Sequence, residues 1–302
     1  DLRLGAIDAQ HRPSPEVPGQ CQFVDDWPEG ESVATAPVKD ALAPPQADRT
    51  DRIVGSMLAG AIGDALGATL EFMSLSEIEA KFGKGGSTTF IPYHEHPASI
   101  TDDTQMSLFT AEGLIEAAKH GTDPVDEVWK AYQRWFYTQK GPLPEGVEPD
   151  FGLLAVPELH QRRAPGYTCM SSMEGGVKGT INAPINDSKG CGGIMRVGPV
   201  GLIATSSEEA YRLGCDVAAL THTHRNGWIP AGVQAVIIHR IMEGDDLFAA
   251  VLAGREMAEQ DPLGDEVVAC IDAAITLSAE APLSGWDLHR LGGAWVGEEA
   301  LA

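Results

Sequence analysis

The chain has 302 residues, enough for one large domain or two small ones, and its 43% hydrophobic and 22% charged content excludes wholesale disorder, collagen-like repeats and a fibrous protein. Against 21 basic residues stand 44 acidic ones, a formal charge of −23 that repels polyphosphates and anionic lipid. Nucleic acid and membrane are therefore not expected partners, whereas a basic protein or bound cations suit the charge better.

No apolar run approaches the roughly 18 residues of a membrane span, and the first thirty residues carry neither a basic n-region nor an apolar h-region. Cys21, Cys169, Cys191, Cys215 and Cys270 are odd in number and widely scattered, with no C-x-x-C pair. A cytoplasmic setting without disulfides is the expectation.

Residues 1–50 read as an irregular extension, holding seven of the 20 prolines and a cluster of Asp25, Asp26, Glu29 and Glu31 around Phe23 and Trp27. Such a segment is either a flexible tail or an acidic, aromatic arm that docks on a partner. From residue 51 the chain becomes small and apolar. Ile53, Val54, Met57, Leu58, Ile62 and Leu66 recur at helical intervals, and Gly55, Gly60, Gly63 and Gly67 permit close backbone approach. The spacing predicts a central, tightly packed helix within residues 51–72.

Helices are predicted over residues 104–119 and 125–137, the second introduced by the cap and first-turn pair Asp123-Pro124. Ser206 with Glu209 reads as a capping box for residues 210–220, and helical spacing continues over 231–242, 246–259 and 266–278. Strand signals are nearly absent, and the Gly/Pro-rich segments 138–152 and 175–201 read as loops. The expected fold is a compact, multi-helix, all-α domain over residues 51–302.

Several segments carry polar chemistry. In Thr101-Asp102-Asp103-Thr104, an acid caps the following helix, or the two carboxylates and flanking hydroxyls hold a hard cation such as Mg²⁺. Glu71, following so apolar a helix, is expected near the core, and Asp64 is expected to be partly buried, either hydrogen-bonded to a loop or ligating. The glycine-dense residues 188–196 are either a tight loop or a backbone cradle for phosphates, and they lack the ending of a Walker loop. Pairs His222/His224 and His94/His96 each lack a third zinc ligand at motif spacing, so a histidine following a helix is read as a dipole partner or hydrogen-bond donor.

Taken in order, Gly63-Asp64-Ala65-Leu66-Gly67 with Glu71, then Thr101-Asp102-Asp103-Thr104, then Ser188-Lys189-Gly190-Cys191-Gly192-Gly193-Ile194-Met195-Arg196, then Thr221-His222-Thr223-His224, then residues 291–300 resemble the ADP-ribosylglycohydrolase family. The resemblance runs from about residue 51 to the end. It implies an all-helical core and a binuclear Mg²⁺ site that supports hydrolysis of the bond joining ADP-ribose to a protein side chain, typically arginine. Matched by position, Thr101, Asp102, Asp103 and Glu71 are the expected metal ligands, with Asp103 and Glu71 catalytic. Ser188, Gly190, Cys191 and Gly192 match the loop that holds diphosphate and ribose, and His222 matches a histidine that contacts ADP-ribose.

Two departures accompany the match. Family members carry a second acidic metal motif, D-x-D-T, after the segment matching residues 291–300, so further C-terminal helices are expected beyond Ala302. The extension also sets this chain apart from minimal members, in a manner similar to immunity proteins against ADP-ribosylating toxins. That likeness implies a second partner besides the ADP-ribosylated protein: a toxin, engaged by Phe23, Asp25, Asp26 and Trp27. A catalytically inactive relative that neutralises by binding is the alternative.

Overall fold

Two helical hairpins set the architecture of the computed structural model, which describes residues 48–93, 98–280 and 283–302. The extension, with Phe23, Asp25, Asp26 and Trp27, and the pair His94/His96 lie outside the described residues. In chain order the helices begin with α1 (Arg49–Gly67), α2 (Leu75–Phe82), α3 (Asp102–His120), α4 (Pro124–Thr138) and α5 (Tyr167–Gly175). They continue with α6 (Gly198–Ile203), α7 (Ser207–Ala219), α8 (Arg225–Glu243), α9 (Leu247–Gln260), α10 (Asp265–Ser278), α11 (Gly285–Leu288) and α12 (Gly297–Leu301). Among the described residues extended pairing is limited to isolated bridges, Thr180 with Ala183 and Gly190 with Val296.

The first hairpin is α3–α4. Gly121 adopts the left-handed conformation, with φ of 64°, and its N–H closes α3 on the Ala117 carbonyl. Asp123 then accepts from the Asp126 N–H at 2.9 Å, with Pro124 in the first turn. The two backbones touch at Gly113, where a Cβ would lie 2.5 Å from the Cα of Val128. The second hairpin, α7–α8, packs against the first. Met106, Phe109, Tyr132, Trp135, Leu220 and Ile229 are fully buried between them. Each large apolar side chain so buried contributes about 1.5–3 kcal/mol. α9 lies on α8, α10 on α9, and α12 against α8.

The predicted helix at residues 51–72 forms, but not as a central one. α1 ends at Gly67, buries only Ala65, and leaves Val54, Leu58 and Ile62 each half exposed, with open space around its glycines. It is held instead at its ends. Arg49 donates to the Leu202 carbonyl and Arg52 to the Ile241 and Met242 carbonyls, while Asp64 ties the other end to α3.

The helix predicted over 231–242 starts six residues earlier, because Pro230 lies inside α8 rather than before it. The proline removes one N–H from the ladder, and the carbonyl four residues back, on Asn226, faces Gly297 of α12. At α7 half of the predicted capping box forms: Ser206 accepts from Glu209 N–H at 3.1 Å, but the Glu209 carboxylate turns to the Thr205 N–H at 2.8 Å.

Among the described residues no helix is long and apolar enough to cross a membrane. Cys169, Cys191, Cys215 and Cys270 are free thiols.

Candidate active site

The end of α1 and the start of α3 meet in an acid corner. Asp64 projects from the last turn of α1, and its carboxylate accepts from both Thr101 and Thr104: backbone N–H at 2.8 and 3.2 Å, hydroxyls at 2.7 and 2.5 Å. Asp64 is thus hydrogen-bonded, to the start of α3 rather than to a loop. The cap of α3 is Thr101, not either acid, with Asp102 and Asp103 inside the first turn, where they complement the helix dipole. Thr101 Oγ1 also lies 2.8 Å from an Asp103 oxygen, so one hydroxyl bridges two carboxylates.

Asp102 is buried and held by the segment of residues 163–166. Its N–H donates to the Arg163 carbonyl at 3.0 Å, and its carboxylate accepts from the Gly166 N–H at 3.1 Å. Burial first and the Asp103 charge second hold its carboxyl well above the usual range. The half-buried Asp103 is raised by desolvation and by Asp64. Glu71 sits on the turn after α1 and remains open to solvent along part of its length, against the expectation of a core position. Its carboxyl nevertheless rises to about 7, by desolvation and then by the charges of Asp103 and Asp64. Glu71, Asp102 and Asp103 thus share one electrostatic neighbourhood.

The glycine-dense loop closes on the same corner. Ser107, one turn along α3 from Asp103, donates to the Met195 carbonyl at 3.2 Å and so brings the loop against α3, and burial, followed by the charges of Asp103, Glu71 and Asp102, pushes the Cys191 thiol up to about 12. Ser188 pairs with Thr168 at 3.0 Å and accepts from the Gly190 N–H at 3.3 Å. Beneath the loop lies His222, 2% exposed. A Cβ on Gly192 would lie 2.8 Å from the imidazole Cε1, and one on Gly193 would lie 2.4 Å from the Gly227 carbonyl oxygen. Among the described residues the Gly192 and Gly193 N–H groups have no acceptor. The neighbouring His224 accepts from the Asn226 N–H at 3.0 Å and so caps the start of α8, rather than donating at the end of a helix.

The chain matches the ADP-ribosylglycohydrolase family model over residues 45–302. It belongs to that family. It is 41% identical over 90 residues to ADP-ribosyl-[dinitrogen reductase] glycohydrolase of Rhodospirillum rubrum, covering 28% of each chain. It is 36% identical over 75 residues to ADP-ribosylarginine hydrolase Tri1 of Serratia proteamaculans, covering 25% of this chain and 19% of the relative. An uncharacterized protein of Archaeoglobus fulgidus is 28% identical over 171 residues, 55% of this chain and 48% of the relative. The chain thus spans less than half the length of each of these relatives.

For a member of this family the acid corner is the place to test for a metal. Its donors are all oxygen, and its crowded carboxylates are what a hard divalent cation relieves. Among the described residues no three acidic, histidine or cysteine side chains close on a common metal position. The donor chemistry therefore fits Mg²⁺, which commonly takes one or two carboxylates and fills the remainder with water; a closed protein cage does not form here.

Several contributors escaped the sequence reading. Arg163 is buried beside the corner with Nε and Nη1 unpartnered, while Nη2 donates to Gln161 at 2.5 Å. Residues 295–298 clamp the loop: Cys191 N–H donates to the Trp295 carbonyl at 3.0 Å and Gly297 N–H to the Lys189 carbonyl at 2.8 Å. Glu298 adds a bond from Asn226 at 2.8 Å. The motif at residues 291–300 was the only signal for that clamp. A buried arginine leaves none, since arginine in a sequence reads as surface charge.

Proposed function

We propose that this chain is an ADP-ribosyl hydrolase, cleaving the bond between the C1″ carbon of ADP-ribose and a protein side chain. The observation that carries the reading is the meeting of the acid corner with the glycine loop: Ser107 of α3 donates to the Met195 carbonyl at 3.2 Å, and Trp295, whose carbonyl accepts from the Cys191 N–H, stands 5.7 Å from the ring of Phe72 beside Glu71. Unpaired N–H groups on Gly192 and Gly193 suit a diphosphate, and the carboxylates suit the reacting sugar. Water adds at C1″ as the glycosidic bond breaks, the sugar keeps the hydroxyl, and the departing side-chain nitrogen takes the proton. Asp103 orients that water by accepting its hydrogen, and Glu71 stands at the open rim where the ribose enters.

The reading includes two Mg²⁺ ions, with Thr101, Asp102, Asp103 and Glu71 as this chain's ligands. Bound there, Mg²⁺ would supply charge that activates water and orients the ribose hydroxyls. Arginine is the proposed linkage, supported by the name of the Serratia relative.

The test is release of ADP-ribose from an arginine-ADP-ribosylated protein, with Mg²⁺ or chelator, beside Asp103→Asn. Release that needs both the ion and Asp103 is expected. Equal release with chelator, or by the variant, would overturn the assignment. Immunity against a toxin rests on the extension of residues 1–50 alone: its deletion should weaken capture of an ADP-ribosyltransferase, and unchanged capture would remove the idea.

A further inference from the structure

Arg196 is fully buried on the short 3₁₀ turn Ile194–Arg196, stacked 4.4 Å over the Tyr132 ring. Its Nη2 donates to Thr221 Oγ1 at 2.6 Å, and the same hydroxyl lies 2.8 Å from His222 Nδ1. The three side chains are 0%, 0% and 2% exposed, so water does not compete for these bonds.

The proton positions follow from which groups can give and which can take. A guanidinium has no acceptor. Thr221 Oγ1 therefore accepts from Arg196, and among the described residues the acceptor within reach of its own proton is the other neighbour. That neighbour is Nδ1, which accepts only when it carries no hydrogen. A proton on Nδ1 would donate to the second lone pair of Oγ1 and leave the buried hydroxyl hydrogen without an acceptor, at a cost of about a hundredfold in stability or less. In a neutral imidazole the proton then sits on Nε2. That atom faces the loop: a Cβ on Gly192 would lie 3.0 Å from it, and one on Gly190 3.5 Å.

We propose that Arg196 and Thr221 are positioning residues that lock His222 as the neutral Nε2–H tautomer, a fixed donor under the loop of residues 188–193 for an oxygen of bound ADP-ribose. The ligand half of this inference rests on the proposed function. The tautomer half does not. Desolvation and the Arg196 charge hold the imidazole down at about 3, and the buried Cys169 thiol, which lies with it under Gly192, is raised to about 11 and stays neutral. His222 thus acts as a donor rather than as an acid or base.

The experiment is long-range ¹H–¹⁵N correlation NMR on the full chain labelled at histidine, with His222→Asn identifying the signal. The expected result is a histidine with bare Nδ1 and protonated Nε2 that does not titrate between about pH 5 and 8. Thr221→Val should abolish the fixed tautomer and weaken ADP-ribose binding about fivefold to tenfold, and Thr221→Ser should restore both. A protonated Nδ1 in the wild type, or titration in that range, would overturn the lock, and would do so even where Thr221→Val fails to fold. An unchanged signal in a folded Thr221→Val would overturn it too. Should the signal appear as expected while the wild type shows no affinity for ADP-ribose, the ligand half fails and the tautomer assignment stands.

Discussion

Adding one methyl group at Gly193 and the same methyl at Gly60 should move stability in opposite directions. A Cβ on Gly193 would stand 2.4 Å from the Gly227 carbonyl oxygen and 3.1 Å from the Ala218 Cβ. The first obstacle is backbone, and it lies in α8, which is pinned by the core, so the loop must move by about 1 Å. Forcing extra volume into a packed site costs about 1–3 kcal/mol, and backbone obstacles fall at the upper end. At roughly 2–4 °C per kcal/mol for a domain of this order, Gly193→Ala should melt about 4–12 °C below the wild type. On Gly60, in the middle of α1, the new Cβ meets nothing within 4 Å. Only the helix propensity changes there, in favour of alanine by up to about 1 kcal/mol. Gly60→Ala should therefore melt a few degrees higher in the same thermal scan. A Gly193→Ala protein within about 1 °C of wild type, or a destabilised Gly60→Ala, would refute the packing described for the loop and for α1.

Asp64→Ala strands four donors from Thr101 and Thr104, so urea unfolding should show a loss of about 2–4 kcal/mol, chiefly from unsatisfied polar groups. His222 has a folded pKa of about 3, below its ordinary value, so between about pH 6.5 and 3 the unfolded chain binds a proton that the folded chain refuses. Stability from this group is complete above that window and falls by roughly 1 kcal/mol per pH unit as acid is added. The raised carboxyls of Glu71 and Asp102 act with the opposite sign, so the measurement is the difference in acid unfolding between wild type and His222→Asn. Millimolar Mg²⁺ should raise the melting temperature, and Asp103→Asn should reduce the rise; an equal rise in the variant would remove Asp103 from the ligands. Cys191→Ser should retain ADP-ribose release within a few-fold, and a covalent intermediate on Cys191 would contradict this.

The sequence was informative where a pattern repeats and where caps are explicit. α3, α4, α9 and α10 lie within two residues of their predicted limits because each has several turns of periodic spacing, and Asp123 or Asp246 marks a start. Short helices such as α6 and α12 offer too few turns for a period to register. Pro230 reads as a boundary in the sequence, yet α8 runs through it because Trp228 and Ile229 are buried in the core and hold the turn before it. Val54, Leu58 and Ile62 show what periodicity leaves out: it records that a face is apolar, not whether a neighbour lies upon it. In the site, the adjacency of Asp102 and Asp103 was legible at once. Arg196 and Thr221 were not, because a buried guanidinium held by a hydroxyl, a sulfur and a ring has no pattern along the chain.

The glycines of the loop answer to two demands, and separating them assigns the remaining residues. Gly192 and Gly193 are required by what lies below, the His222 ring and the Gly227 carbonyl, whatever is bound above. Their N–H groups have no acceptor among the described residues, and the proposed diphosphate is what they would meet above. Cys191 precedes both, with its N–H already given to Trp295 and its thiol pushed up by burial and then by the charges of Asp103, Glu71 and Asp102. An attacking thiolate there would be a fourth negative charge in a desolvated corner, which is why its pKa moves up rather than down, opposite to the shift a nucleophilic cysteine needs. Its part in the site is therefore to turn the chain, fixed by the clamp at residues 295–298, so that the donors of the loop and the acids of α3 face the same space.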